Sequence, residues 1–465
     1  MRSRAQGSAL GRRAGTLAAA VALAAAAARP VLAHGGTLGR AAREPLTVPT
    51  WLMLATGGAV VGASFLLASF ATDRSALDRL VDRRWTVRVP AAGALRWAAG
   101  AFGVVVLVGI VVAGLVGPTD PLSNPAVVVV WAGWWAGFAM STYVVGNAWP
   151  LVNPWRTIAA VLPELGRSYE WRLGAWPSAA GLLALVWVEV VSPLADEPRV
   201  LAVTVLAYSV VTLAGAVVYG AETWFGAADP VSRVFRYYGA VAPVGRGDDG
   251  ELALRLPGAG LSTDLLDGVD EAAFVVALLW VTTFDGFVAT PAWRSLARGL
   301  VGAGYPPGLL YPGAMLVGFA LFLGVYLAAA RLARRTAPTF VAAESLARRF
   351  APPLLAIAAG YHVAHFLGYF LSLLPALLAA VTAPLATVNP PLVVVPGWFG
   401  GVAVAAVLAG HLLAIVAAHV TAFDLFPGRL QAIRSQYPFI AVMIGYTVAS
   451  LWIVTRPDVP LPYLP

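Results

Sequence analysis

Apolar runs of about twenty residues, the length needed to cross about 30 Å of hydrocarbon, recur along this chain near 51–71, 97–117, 126–148, 177–195, 200–220, 271–290, 309–331, 352–376, 397–420 and 437–455. Short polar segments separate them, and the arginines gather in those segments. The pattern predicts an all-α fold, a polytopic transmembrane helix bundle of about ten helices. A further apolar stretch, 377–396, is broken by Pro384, Pro390 and Pro391. It suits a re-entrant segment, which would need protein or water around its backbone.

The longest polar stretch between runs, 221–270, lies between the fifth and sixth. Its Val231, Val234, Phe235, Tyr238 and Val241 alternate with Arg233 and Arg236 at helical spacing, which predicts an interfacial amphipathic helix. The Arg246–Glu251 stretch is turn-rich, and the alternation Leu252, Leu254, Leu256 is too short to establish a strand. Five spans in each half would allow an inverted repeat, but no sequence repeat is visible. Gly57–Gly58 and Asp285–Gly286 are formally matched interruptions, and helix packing explains such glycines more simply.

Composition agrees with the pattern. Hydrophobic residues make up 59% of the chain and charged residues 12%, a membrane-protein balance. The net charge of +8 comes from arginine alone, and its placement in loops points to topology rather than to a nucleic-acid partner. The absence of cysteine excludes disulfides, thiolate metal sites and thiol nucleophiles. Arg2, Arg4, Arg12 and Arg13 precede an Ala/Leu/Val run ending in Val31-Leu32-Ala33, so residues 1–33 read as a cleaved signal peptide and 34–465 as a single transmembrane domain. With the mature N-terminus outside, the cytoplasmic loops hold 20 arginines and the external segments six. The bias places both termini outside in a multi-pass cell-membrane protein.

Four of the five histidines fall inside two spans, where an imidazole needs a hydrogen-bond partner, a metal, a haem or water. Depth, at about 1.5 Å per residue, sorts the ionisable groups into three layers. Glu222, His419 and Asp424 lie at the cytoplasmic interface. His411 and His362 stand about 10 to 15 Å above it, and Glu189, Asp285 and His365 at about 18 to 21 Å. Tyr361, His365 and Tyr369 form an i, i+4, i+8 stripe beside His362, suited to proton relay or ligand binding, although such a stripe can also simply pack. Asp285, preceded by two threonines and followed by Gly286, is a stronger functional candidate than Glu189. His362 and His411 are candidate ligands for one metal if their helices face each other, since imidazole suits zinc, copper and haem iron. His34 would become the amino terminus, where amine and ring can chelate copper; the competing reading is that it merely follows the cleavage site, because copper needs further ligands.

Several strings resemble a family of prokaryotic polytopic membrane proteins commonly labelled fenitrothion hydrolase: Trp149-Pro-Leu-Val-Asn-Pro-Trp-Arg156, Thr283-Phe-Asp-Gly-Phe287, His362-Val-Ala-His365, Gly410-His411 with Ala418-His419, and Arg434-Ser-Gln-Tyr437. The similarity runs through most of the mature chain. It implies an integral membrane protein with these histidines and Asp285 near its working site. In the family an acidic residue often directly follows the counterpart of His419, whereas this chain has Val420, with Asp424 one turn on.

Three functions fit. The first is a permease moving a small solute, proton or metal ion through the polar layers of the lipid bilayer. The second is a membrane-embedded metal-dependent hydrolase, as the resemblance implies, needing metal-activated water or an activated nucleophile. The third is a haem- or metal-binding accessory subunit within a membrane complex. The chain has no Gly-x-Ser-x-Gly elbow and no Walker-type phosphate loop.

Overall fold

The computed structural model describes residues 93–464 with gaps at 171, 247–250, 263, 385–389, 397, 455 and 457–458; before them it describes 58–59, 61–66, 68–70, 73, 75 and 85–87. The signal segment 1–33, His34 and much of the first run therefore lie outside the described residues.

In chain order the principal elements are β1 (Trp85–Val87), α1 (Gly93–Val116), α2 (Pro125–Val145), α3 (Trp176–Val191), α4 (Pro198–Tyr219), α5 (Pro230–Val241), β2 (Val244–Arg246), β3 (Leu252–Leu254), α6 (Val269–Val288), α7 (Leu310–Thr336), α8 (Pro353–Thr382), α9 (Phe399–Leu425) and α10 (Arg429–Val454). Among the described residues eight helices are long and apolar enough to cross a membrane, all of these except α3 and α5. The protein is an all-α, multi-pass membrane bundle. Nine of the ten apolar runs emerge as helices, and the first contributes helical residues at 58–59 and 61–66. At sixteen residues α3 is shorter than a full span.

Apolar character on every side sends α6 to the centre, where 78% of its apolar window is buried, against 17% for the peripheral α1. Asp270 and Glu271 sit in the first turn of α6, where acids complement the helix dipole. Asp270 also accepts from the Ala175 amide at 2.5 Å, tying α6 to the start of α3. The most extensive helix interface joins α8 to α9, where Gly360 and Gly410 let the backbones touch. The helix α6 runs unbroken through Asp285–Gly286 to Val288. Gly286 serves close packing, since a Cβ there would come within 2.6 Å of Ile453.

The expected interfacial helix proves to be an interior one. α5 packs between α2, α3 and α8, with Phe235, Tyr237 and Tyr238 fully buried. On its polar face Arg233 is enclosed too, donating to Glu271 at 2.5 Å, to the Tyr237 hydroxyl at 2.9 Å and to the carbonyls of Gly226 and Ala227 at 3.0 and 2.8 Å. Arg236 reaches the same Glu271 oxygen at 2.9 Å. Burial alone would lower the Arg233 guanidinium, but Tyr237 and Glu271 outweigh it and hold the group above its ordinary value. A partnered arginine can thus be buried where a sequence periodicity reads it as solvated.

The Leu252–Leu254 alternation is a strand after all, central in a small antiparallel sheet of order β1-β3-β2 that aligns Ala253 with both Thr86 and Gly245. Arg349 meets Asp264 at 2.7 Å and Asp424 at 3.6 Å, and Gln431 donates to the Pro338 carbonyl at 2.7 Å. Segments 221–270, 331–350 and 426–436 therefore share one end of the bundle. At the other end, Tyr311 donates to the Pro462 carbonyl and the Val459 amide to that of Ala289, each at 2.8 Å. Of the proposed re-entrant stretch, 377–382 continue α8, while 390–396 fold back so that the Val393 amide reaches the Ser372 carbonyl at 3.1 Å.

Candidate functional site

A cavity of about 2120 Å³ is lined by residues from α1 to α6 and α8 to α10. It gathers Glu189, Asp285, Tyr361, His362, His365 and Tyr369, six candidates drawn from three helices far apart in sequence. Glu189 on α3 and Asp285 on α6 are close enough to interact as charges, and Glu189 also acts on Tyr369 of α8. Tyr361 and His365 stack with ring centres 6.0 Å apart and planes at 15°. The Tyr361 hydroxyl lies against Gly286, 3.3 Å from where a Cβ would stand.

His362 is wholly buried, and neither ring nitrogen has a hydrogen bond of ordinary geometry, although the Trp135 backbone is close by. Its ring sits among Phe366, Trp135, Tyr143 and Tyr238 with centres 4.6, 5.5, 5.8 and 5.9 Å away.

The rest of the lining is strongly aromatic and went unread as a site in the sequence. Residues Val129–Phe138 of α2 are wound as a π-helix, a departure common at functional sites, and they bring Trp131, Trp134 and Trp135 to the cavity. The Trp149–Arg156 string supplies the rest. Asn153 ends one short helix and caps the next by accepting from the Arg156 amide at 3.1 Å, which turns Trp149 and Trp155 onto the same wall. Trp155 donates to the Ser209 hydroxyl at 2.7 Å, and Arg156 pairs with Glu222. Tyr208 donates to Asp229, which caps α5 by accepting from the Ser232 amide at 2.8 Å. Burial pushes the Asp229 carboxyl up, while the bonds from Ser232 and Tyr208 pull it back. The clustered tryptophans of 131–135 and 149–155 were the available signal.

The other candidates fall elsewhere. His411 donates from Nδ1 to the Val407 carbonyl of its own helix at 2.8 Å and does not line the cavity. His419 is held by Gln436 at 3.3 Å, which gives the Arg434-Ser-Gln-Tyr437 string a structural task. Glu222 and Asp424 are exposed partners of Arg156 and Arg349. Among the described residues no group of three or more His, Asp or Glu side chains is placed to hold a metal ion. Comparison with protein-family models, curated proteins and solved structures finds no match to the chain. Its function is therefore argued from the cavity.

Proposed function

We propose that this membrane protein is permease-like and moves a small solute, proton or metal ion along the intramembrane path of Glu189, Asp285, Tyr361, His365 and Tyr369. The observation that carries this reading is that these side chains all line one cavity. Ionisable groups are costly at membrane depth and mark ion paths and proton relays. Two neighbouring carboxyls can hold a proton between them, and the stacked Tyr361–His365 pair offers the next exchangeable groups.

A membrane-embedded metal-dependent hydrolase, the activity implied by the family resemblance, is the second reading. His362 favours it, because an imidazole without a hydrogen bond at a cavity wall is a potential ligand to zinc or haem iron. One imidazole falls short of the three or four protein ligands zinc takes. A haem- or metal-binding accessory role would rest on the same residue.

The test is proton or solute flux in liposomes holding the purified chain. Asp285→Asn should abolish flux while the protein still inserts and purifies as a single species; undiminished flux would overturn the transport reading. Elemental analysis and a visible absorption spectrum of the detergent-purified protein separate the second reading from the first.

A further inference from the structure

We infer that the cavity takes a lipophilic organic cation, exchanged for a proton on the Glu189–Asp285 pair. This rests on the transport reading and names its substrate class. Four independent features of the cavity converge on that chemistry.

The first is size and polarity. A volume of about 2120 Å³ exceeds the ~300–1,000 Å³ of ordinary small-molecule sites. A bare metal ion or proton needs none of that space.

The second is access. Phe102, Val105, Val112, Val116, Val381 and Trp398 line the cavity and are each more than half exposed. Among the described residues, then, its mouth lies between apolar side chains that a bilayer would cover. A ligand arriving that way is one that partitions into lipid.

The third is the aromatic wall. Trp134 and Trp149 stand 5.9 Å apart, Trp149 and Phe235 5.0 Å, and Trp155 and Tyr208 4.9 Å. Indole faces attract cations more strongly than other aromatic side chains do, and desolvation strengthens the effect.

The fourth is charge. Glu189 and Asp285 supply the acidic groups, and the cationic side chain on the described lining is Arg456, laid over the Trp452 ring at 5.0 Å. Beside the acids, His362 is fully buried with both nitrogens lacking a hydrogen bond. An anion would meet two carboxyls, and an apolar neutral ligand would gain nothing from them.

The exchange balances charge. One proton leaves the carboxyl pair as one monovalent cation arrives, so the net charge of the cavity is the same with either occupant. A permease with this wall would move the cation one way and a proton the other.

Tetraphenylphosphonium is a suitable probe because its charge cannot titrate. Triphenylphosphine oxide, of similar bulk and uncharged, is the control. The full chain in detergent should bind the phosphonium saturably, releasing about one proton per cation into a weakly buffered solution. Glu189→Gln and Asp285→Asn should each weaken that binding about tenfold or more and reduce the proton release. Retained oxide binding and a single gel-filtration species show that the variants are folded. Phosphonium binding that is absent, or equal in wild type and both variants, overturns the inference. Proton flux in liposomes with no phosphonium binding would overturn it while leaving the transport reading intact. Proton-linked binding without any flux would support the cation site and overturn the transport reading instead.

Discussion

Gly410 of α9 and Gly360 of α8 lie at a direct backbone crossing: a Cβ on Gly410 would stand 2.5 Å from the Ala356 carbonyl oxygen and 3.1 Å from the Gly360 Cα. The obstructing atoms are main chain, so they cannot swing aside. Gly410→Ala must force the helices apart, at a cost of about 1–3 kcal/mol by the measure of overpacked cores. Gly401→Ala on the same helix meets nothing within 4 Å and should be neutral or slightly stabilising. Thermal denaturation in detergent should show a lowered midpoint for Gly410→Ala alone.

The same crossing explains what the sequence could and could not convey. Spans are legible because a run of apolar residues has few other stable fates, and depth is legible because rise per residue is fixed. Azimuth is another matter. Along α9 the apolar residues surround the helix evenly, so no stripe says which face meets α8, and His362 and His411 look equivalent at one depth. Packing at Gly360–Gly410 decides that His362 faces the cavity and His411 does not. Arg233 is illegible for a related reason: its burial depends on Glu271, 38 residues away in sequence.

That Arg233–Glu271 contact leads to a second expectation. The Arg233 side chain is 3% exposed and that of Glu271 10%, and Glu271 answers two guanidiniums. Glu271→Gln leaves a buried cation uncompensated, a loss of roughly 3–5 kcal/mol. Glu271→Leu combined with Arg233→Met removes both charges and should recover much of that loss. Thermal midpoints of the two variants compare them directly; equal destabilisation would show that the ion pair matters through more than charge neutralisation.

His362 and His411 should part company on substitution. His362 borders the cavity without a hydrogen bond, whereas His411 spends one nitrogen on the Val407 carbonyl at 2.8 Å. His362→Ala should cut liposome flux about tenfold, while His411→Ala should leave flux near wild type and lower thermal stability. Matching losses of flux in the two variants would instead revive a ligand shared by both rings.

Glu189 and Asp285 should behave as one unit. Both carboxyls line one cavity at the α3–α6 contact, and a proton held by such a pair is not the property of either residue. Removing one acid therefore removes most of what both do. Glu189→Gln and Asp285→Asn are each expected to lower proton-coupled flux strongly, and the double variant to be little worse than the weaker single one, an interaction of about 0.5–3 kcal/mol in a double-mutant cycle. Two residues acting at separate points of a path would give independent, multiplying losses. The cycle thus distinguishes a shared proton site from two successive ones, and additive losses would show that the contact between the carboxyls has no part in transport.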